Sequence, residues 1–341
     1  MTSHLPPVSI LIPERNEHAY IARCLDAVLK QDYPSDKIEI LIVDGMSTDS
    51  TRQIIAGYQK THPNIYLIDN PGKIVPIGMN LAIRQAKGEV IIRVDGHCVI
   101  APDYVSNCIR HLQQDSVDGV GGPMRTIGED FTSEVIALAM SSKFGVGNSS
   151  FRTETGQTKL ADTVPFPAYT RAIIEMVGLY DEELVRNQDD EYNYRIREAG
   201  GRILLADDVR STYFSRGSFQ KLWKQYFQYG YWKVRVLQKH PRQMSLRQFI
   251  PPIFVLSLLL SILLSITLSW GWITLAVLAG AYLIANLIAS LLTSRTKGLR
   301  YFWLLPLAFT IIHVSYGLGF LIGLVNFWNR WGDKKGLVPQ W

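Results

Sequence analysis

Short apolar runs alternate with amphipathic stretches over the first hundred residues. Val8–Pro13 and Ile38–Val43 are largely apolar runs of strand length, and residues 21–29 between them carry apolar side chains at helical spacing. Further helices are predicted at 51–60 and 77–86, with a third short strand at 65–68 between them. The alternation predicts a largely parallel α/β sheet that carries a nucleotide-type crevice.

The C-terminal part of the chain follows a different pattern. Three apolar runs, each at least 20 residues long and free of Asp, Glu, Lys and Arg, extend over Phe249–Leu268, Ile273–Leu292 and Tyr301–Val325. A helix of about 20 apolar residues crosses a hydrocarbon core of roughly 30 Å. We therefore expect about three transmembrane helices after the α/β domain.

The charge distribution divides the chain at the same place. Residues 1–208 contain 20 Lys and Arg against 29 Asp and Glu, whereas residues 209–341 contain 15 Lys and Arg and one acid, Asp333. The net charge of +5 thus combines −9 in the first part with +14 in the second. We predict an α/β domain at 1–215, basic aromatic interfacial helices at 216–248 and a membrane region at 249–341.

The cations also predict an orientation in the membrane. We expect no signal peptide, because residues 1–7 contain two prolines and the next apolar run is too short for one. Nine Lys and Arg between Arg210 and Arg247 precede the first span, and three more separate the second from the third. Since cytoplasmic loops are rich in cations, the first 248 residues are expected in the cytoplasm. Three crossings would place Arg330 and the two lysines after it outside, so either the tail breaks the rule or one segment is re-entrant.

Cysteine and glycine patterns narrow the classes of function. Cys24, Cys98 and Cys108 form no C-x-x-C pair and are interpreted as reduced thiols. Cys98 is expected to be a small buried residue rather than a metal ligand. The chain contains neither a G-x-G-x-x-G nor a Walker sequence, so dinucleotide-binding and P-loop classes have no support.

The stretch from Glu89 to His97 carries the strongest chemical signal. A β-branched run ends at Asp95, and His97 follows two residues later. Ligands of open α/β sheets gather outside the carboxyl ends of strands, so both side chains are candidates for one site. A carboxylate oxygen and an imidazole nitrogen suit Mn²⁺ or Mg²⁺ that bridges phosphates. The same Asp-x-His triplet also occurs in ordinary strand-to-loop turns.

Several motifs in this order resemble family 2 inverting glycosyltransferases with a GT-A fold. The likeness covers Val8 to about Lys233 and is closest to membrane-anchored bacterial enzymes of exopolysaccharide synthesis. The sequence Val-Ser-Ile-Leu-Ile-Pro-Glu-Arg-Asn-Glu is similar to the family's first strand and turn, and Val-Asp-Gly-Met-Ser-Thr-Asp-Ser-Thr to its second loop. The resemblance implies nucleotide-sugar binding by Pro13, Arg15, Glu17, Asp44, Lys73, Asp95 and Arg216.

The same resemblance implies which residues hold the cation and which residue acts as the general base. Asp95-Gly96-His97 matches the family's Asp-x-Asp, with His97 in place of the second acid, and implies a divalent cation held by Asp95 and His97. Asp189, in Asn-Gln-Asp-Asp-Glu, matches the general base, although Gln188 departs from the usual Glu. From the residues alone, Asp189 and its neighbours also suit an acidic first turn of a helix that extends to Ala199. Likewise, the aromatic and basic residues 222–232 suit an interfacial helix, with sugar stacking on Trp223 or Trp232 as the alternative.

We therefore expect an enzyme of the cytoplasmic membrane that moves one sugar from a UDP-sugar to a lipid-linked polyprenyl saccharide, with inversion. The chain lacks the Gln-x-x-Arg-Trp motif of processive synthases. One alternative is a polyprenyl-phosphate glycosyl synthase, and another is a non-catalytic, membrane-tethered regulator that binds nucleotide sugar. The expected partners are the donor, the acceptor and the lipid bilayer, with no nucleic acid.

Overall fold

The computed structural model describes residues 5–147, 149–153, 156–215, 217–334 and 336–339. The chain forms two compact units. The sheet unit comprises residues 1–125, 154–213 and 335–341, and the helical unit comprises 126–153 and 214–334. The division predicted from the sequence, at residues 215 and 248, separates parts by function and not by compactness. It stays a prediction.

The strands of the chain lie mainly in one mixed sheet. They are β1 (Val8–Glu14), β2 (Ile38–Asp44), β3 (Ile65–Asp69), β4 (Val90–Arg93), β5 (Cys98–Ile100), β6 (Gly119–Gly121), β7 (Met124–Ile127), β8 (Lys159–Leu160), β9 (Ala168–Thr170), β10 (Ile203–Leu205) and β11 (Ser211–Phe214). The larger sheet has the order β3-β2-β1-β4-β9-β6-β10-β8. Strands β3, β2, β1 and β4 are parallel to one another, while β9 runs antiparallel to β4 and β6. The predicted α/β sheet is thus confirmed.

Helices alternate with the strands of the sheet unit. The helices of the sheet unit are α1 (Ile21–Leu29), α2 (Thr51–Gln59), α3 (Val75–Gln85), α4 (Tyr104–Gln114), α8 (Arg171–Val177) and α9 (Gln188–Glu198). Three further short helices belong to the helical unit: α5 (Phe131–Met140), α6 (Lys143–Val146) and α7 (Ser150–Thr153). The elements predicted over residues 8–86 agree with these bounds within about two residues. All seven residues of β1 are buried because the strand lies between two neighbours, which explains the nearly continuous apolar run.

Four longer helices make up most of the helical unit. They are α10 (Phe219–Lys239), α11 (Ile250–Thr267), α12 (Gly271–Lys297) and α13 (Leu305–Asn326). The last three are long and apolar enough to cross a membrane, as the sequence predicted. The third starts later than expected, because residues 299–303 form a 3₁₀ turn and Pro306 occupies the first turn of α13, where a missing N–H costs nothing.

The predicted aromatic helix at 222–232 forms part of α10, and it packs along α13. A Cβ added to Gly319 would lie 2.1 Å from the carbonyl oxygen of Phe227, and one added to Gly230 would lie 2.0 Å from that of Tyr316. Glycine on both helices therefore allows the two backbones to approach closely. The interfacial helix predicted from the sequence is thus packed on an apolar helix within its own unit.

Candidate active site

Three parallel strands of the sheet unit end in charged residues at one edge. Strands β1 and β2 end at Glu14 and Asp44, which are paired in register, and β4 ends at Arg93. Because the carboxyl ends of parallel strands meet at the same edge, local alternation in the sequence brings distant polar residues together. This edge is where the sequence analysis placed its candidate site.

Asp44 is fully buried and belongs to a network of charges. Its carboxylate accepts hydrogen bonds from the Ser47 backbone N–H at 3.0 and 3.1 Å and forms an ion pair with Arg52. Arg52 also pairs with Asp69 at 2.8 Å. Burial raises the pKa of Asp44, but hydrogen bonds with Glu14, Ser47 and Arg52 outweigh burial and leave that pKa below its usual value. Asp44 is therefore a fixed anion at the end of β2.

Glu14 lies beside Asp44 and behaves in the opposite way. Burial, the hydrogen bond with Asp44 and the charge of Asp44 together raise the pKa of Glu14 to about 9. Glu14 is thus neutral at physiological pH and shares its proton with the ionised Asp44. Its Oε1 atom is buried and makes no hydrogen bond to the residues that the structure describes.

Backbone N–H groups of the loop after β1 donate to side-chain hydroxyls between β2 and the start of α2. The Asn16 N–H donates to Ser47 Oγ at 2.8 Å, and the Glu17 N–H donates to Thr51 Oγ1 at 2.9 Å. Pro13 is buried within β1, whereas Arg15 is exposed and its side chain packs over Gly45, where an added Cβ would lie 3.1 Å away. The two motifs that were expected to meet the nucleoside therefore form one rigid pair of loops.

Arg93 connects the two acids that were predicted to do the chemistry. This nearly buried guanidinium donates to Asp95 Oδ1 through Nε at 2.9 Å and pairs with it through a second nitrogen at 2.8 Å. Its remaining nitrogen forms an ion pair with Asp189. Asp95 and Asp189 are therefore adjacent although they lie far apart in the chain, because one Arg side chain contacts both.

Asp189 is placed by the first turn of α9. Asn187, with a left-handed φ of 63°, precedes the helix, and Asp189 is 37% exposed. The helix is anchored below this turn, because Tyr192 stacks on Tyr180 with ring centroids 4.0 Å apart and Arg195 donates to two backbone carbonyls. The acidic first turn expected from the residues alone is present, and one of its acids also reaches Arg93.

His97 lies close to Glu17. Its Nδ1 atom is 3.0 Å from Glu17 Oε1, and its ring meets the edge of Tyr213 with centroids 4.9 Å apart. The Nδ1 atom is buried but makes no aligned hydrogen bond to a described residue. A nitrogen and a carboxylate oxygen 3.0 Å apart suit two ligands of the same cation, and they equally suit an ion pair. Among the described residues no cluster of three or more His, Cys, Asp or Glu is placed to hold a metal.

Two further residues were predicted to contact phosphate, and the structure describes only Lys73. Lys73 is exposed in the loop before α3, has a left-handed φ of 60° and makes no ion pair with the described acids. Arg216 lies outside the described residues.

Cys98 and the other two cysteines are free and buried, as expected from the sequence.

The sequence motifs assigned no role to Glu14, Arg52 or Arg93. Two of these residues carry a signal in the sequence. Glu14 ends a strand in which every residue is buried, and Arg93 is the charged residue in an otherwise apolar buried strand. Charged groups are rarely buried unless they are paired, so both positions pointed to a partner, although not to which one.

Comparison with known proteins gives this arrangement its context. Residues 9–179 match the family described as Glycosyl transferase family 2. The chain is 30% identical, over 94% of its own length and 97% of the relative, to the dolichyl N-acetyl-alpha-D-glucosaminyl phosphate 3-beta-D-2,3-diacetamido-2,3-dideoxy-beta-D-glucuronosyltransferase of Methanococcus voltae. It is 31% identical, over 71% of its length and 73% of the relative, to the succinoglycan biosynthesis protein ExoA of Rhizobium meliloti.

Solved structures agree on the fold. The mannosyltransferase PcManGT of Pyrobaculum calidifontis, in complex with GDP-Man and Mn²⁺, aligns with a TM-score of 0.59 at 20% identity, over 95% of this chain and 88% of that one. At this identity the likeness shows the fold alone, which confirms the predicted GT-A architecture. The family match and the two relatives confirm the resemblance, and the chain belongs to glycosyl transferase family 2 as an enzyme with a GT-A fold.

Proposed function

We propose that this enzyme transfers one sugar, with inversion, from a UDP-sugar to a lipid-linked saccharide at the cytoplasmic face of the membrane. The observation that carries the proposal is the pairing of Arg93 with both Asp95 and Asp189. This pairing brings Asp95, which is assigned to the donor diphosphate, next to the partly exposed carboxylate of Asp189. An inverting transfer needs these two groups side by side, because the acceptor hydroxyl attacks opposite the leaving diphosphate.

The nucleoside end of the donor is assigned to the paired loops after β1 and β2. Asp44 is a fixed anion, and a carboxylate accepts hydrogen bonds from the N–H of a base or the hydroxyls of a ribose. Glu14 and Arg52 hold Asp44 in place from either side. Pro13 near the end of β1 and Arg15 and Glu17 in the loop after it are kept as candidate nucleoside contacts, with Lys73 and Arg216 as candidate phosphate contacts.

Asp95 and His97 fit a divalent cation in chemistry and in environment. The buried His97 Nδ1 makes no aligned hydrogen bond to a described residue, and Asp95 supplies the hard carboxylate oxygens that Mn²⁺ and Mg²⁺ prefer. Two protein donors suffice, because such ions keep water and phosphate oxygens in their remaining positions. When bound, the cation would neutralise the charge of the leaving diphosphate.

Asp189 is proposed to remove the proton from the acceptor hydroxyl. Its carboxylate is more than one-third exposed, so an acceptor can reach it, while Arg93 and the first turn of α9 fix its direction. The neighbouring Gln188 donates to Asp189 Oδ2 at 3.3 Å and adds to its positioning.

The acceptor is proposed from the relatives and from the membrane helices. The name of the Methanococcus voltae relative gives it a lipid-linked sugar phosphate as acceptor, and that of the Rhizobium meliloti relative gives it a role in succinoglycan biosynthesis. Three apolar helices would keep the enzyme beside a membrane-bound acceptor. These observations favour a lipid-linked saccharide in polysaccharide synthesis over bare polyprenyl phosphate.

The test measures nucleotide release and product formation by the full chain in lipid nanodiscs. A panel of UDP-sugars, with GDP-mannose as the competing donor, is assayed against polyprenyl diphosphate saccharides and polyprenyl phosphate, with and without EDTA. We expect metal-dependent transfer from a UDP-sugar to the saccharide acceptor, with the β-anomer formed from an α-linked donor. Asp95→Ala and Asp189→Asn should lower the rate at least about 100-fold.

Asp190→Asn is the matched control, because Asp190 lies in the same acidic turn of α9. If the turn matters only through its charge at the helix N-terminus, the Asp189→Asn and Asp190→Asn variants will be equally impaired, and the base assignment fails. Retention of the anomeric configuration, or transfer only from GDP-mannose, would overturn the corresponding part of the proposal.

A further inference from the structure

The residues that follow the third apolar helix belong to the sheet unit. The described residues 336–339 group with that unit, although α13 belongs to the other. The Leu337 N–H donates to Asp181 Oδ1 at 2.8 Å, and the Glu182 N–H donates to the Leu337 carbonyl at 2.8 Å. Asp181 is 1% exposed, so the tail satisfies a buried carboxylate. These two hydrogen bonds hold Leu337 on the sheet unit.

The segments on either side of the apolar helices cannot themselves cross a bilayer. The chain between Asn326 and Leu337 carries Arg330, Asp333 and Lys334, and its regular structure among the described residues is the 3₁₀ turn Trp328–Arg330. The segment before α11 contains α10, which has five Lys and Arg in 21 residues. Hydrocarbon excludes irregular backbone and clustered charges. The start of α11 and the end of α13 must therefore lie on the side of the membrane that holds the sheet unit.

A chain that leaves and returns on one side makes an even number of crossings. We infer that α11 and α12 cross the membrane as a helical hairpin, and that α13 lies at the interface on the side of the sheet unit without crossing. The inference depends on membrane insertion but not on sugar transfer. It differs from the three crossings that length and hydropathy alone predict.

The packing of α13 distinguishes it from the other two helices. Half of the residues in its most apolar stretch are buried by the protein itself, against 22% for α11 and 11% for α12. The C-terminal half of α13 lies against α10, where an added Cβ at Gly323 would be 2.7 Å from the Tyr231 carbonyl. A helix that is covered by its own unit has less surface to offer to lipid, whereas α11 and α12 leave most of theirs open.

Polar contacts also fix the depth of α13. Gln238 Nε2 donates to the carbonyl of Phe327 at 2.8 Å, just beyond the end of the helix. The fully buried Arg235 lies 3.6 Å from the Asp333 carboxylate and donates to the Asp333 carbonyl at 3.2 Å. Because α10 is too charged to lie in hydrocarbon, the half of α13 beside it is held at headgroup depth.

The proposed hairpin satisfies the distribution of charges and aromatic residues. Its tip carries Trp270 and Trp272, which are 51% and 62% exposed and suit the far interface of the bilayer. Every Lys and Arg from residue 210 onwards then falls on the side of the sheet unit. The conflict that three crossings create with the cations of the tail disappears.

The test uses membrane-impermeant maleimide on variants of the full chain that each carry one added cysteine, in right-side-out and inverted membrane vesicles. The variants are Ser35→Cys in the sheet unit, Ser269→Cys at the hairpin tip, Thr296→Cys between α12 and α13, and Leu337→Cys in the tail, all at exposed positions. The native cysteines are buried, so the wild type gives the background. We expect Ser35→Cys, Thr296→Cys and Leu337→Cys to react from one side and Ser269→Cys from the other.

Two labelling patterns would overturn the inference. Reaction of Leu337→Cys from the side of Ser269→Cys would show three crossings, and reaction of all four variants from one side would show none. Extraction by alkaline carbonate serves as a separate measurement of insertion. Release of the wild type by carbonate would remove the membrane assignment itself, whereas retention with the expected labelling supports the hairpin.

Discussion

The guanidinium of Arg93 forms an ion pair with the carboxylate of Asp189, a residue 96 positions later in the chain. The same guanidinium holds Asp95. A buried Arg with two carboxylate partners fixes their relative positions more firmly than any of the exposed loops at this edge. We interpret Arg93 as a positioning residue that aligns the donor diphosphate with the base, and the first prediction concerns it.

Replacing Arg93 separates the effect of its charge from the effect of its shape. Arg93→Lys keeps one cation but loses the planar fork, so kcat should fall about 100-fold with little change in the donor KM. Arg93→Gln also removes the charge, which makes the neighbouring carboxylates easier to protonate. The acidic limb of its pH–rate profile should therefore move to higher pH, whereas that of Arg93→Lys should stay in place.

Steady-state kinetics from pH 5 to 9 check this prediction, with circular dichroism to confirm folding. Arg52→Lys is the control, because Arg52 pairs with Asp44 on the nucleoside side and should raise the donor KM instead. Equal pH profiles for Arg93→Gln and wild type would contradict the proposed link to the base.

His97→Asp tests the imidazole as a ligand. An oxygen donor in place of nitrogen favours Mg²⁺ relative to Mn²⁺, so the ratio of activity with Mn²⁺ to activity with Mg²⁺ should fall several-fold. Mn²⁺ binding, followed by electron paramagnetic resonance without donor, should weaken in parallel. If both quantities match the wild type, His97 does not contact the cation.

Glu14 makes the stability of the sheet unit depend on pH. Its pKa is raised from 4.5 to about 9 by burial and by Asp44, so the neutral form is favoured in the folded state. The stabilisation from this group is complete below pH 4.5 and is lost as the pH rises through about 9. The thermal midpoint of the wild type should therefore fall, relative to that of Glu14→Gln, between pH 5 and 9.

The glutamine retains a donor to Asp44 but cannot ionise. Thermal unfolding in detergent across this range measures the difference, and Glu175→Gln, at an exposed position, is the matched control. Parallel curves for wild type and Glu14→Gln would mean that Glu14 is not held in its neutral form.

The contact between α10 and α13 predicts a strong effect of a single methyl group. In Gly319→Ala the added carbon would lie 2.1 Å from the Phe227 carbonyl oxygen, and overpacking of this kind costs about 1–3 kcal/mol. Gly280→Ala is the matched control on α12, since nothing lies within 4 Å of its added carbon. Unfolding in detergent should show a loss of stability for Gly319→Ala only, and equal midpoints would rule out the close approach.

The elements of the fold were readable from the sequence because they depend on neighbours in the chain. Strands β1 and β2 bury both faces and are therefore nearly continuous in apolar residues, while α1 buries one stripe and repeats with helical period. The apolar length of α11, α12 and α13 was equally visible. The motifs at Asp44, Asp95 and Asp189 identified the family, since their order along the chain is itself sequence information.

The partners of those elements were decided only by the tertiary structure. Nothing near Arg93 in the sequence shows that it contacts Asp189, and nothing near Leu337 shows that it caps Asp181, 156 positions earlier. Hydropathy likewise treats α13 as a third crossing, because it measures apolar length and not what covers the helix. Side-chain pairing and membrane depth depend on which surfaces meet after folding, and local periodicity carries no record of that choice.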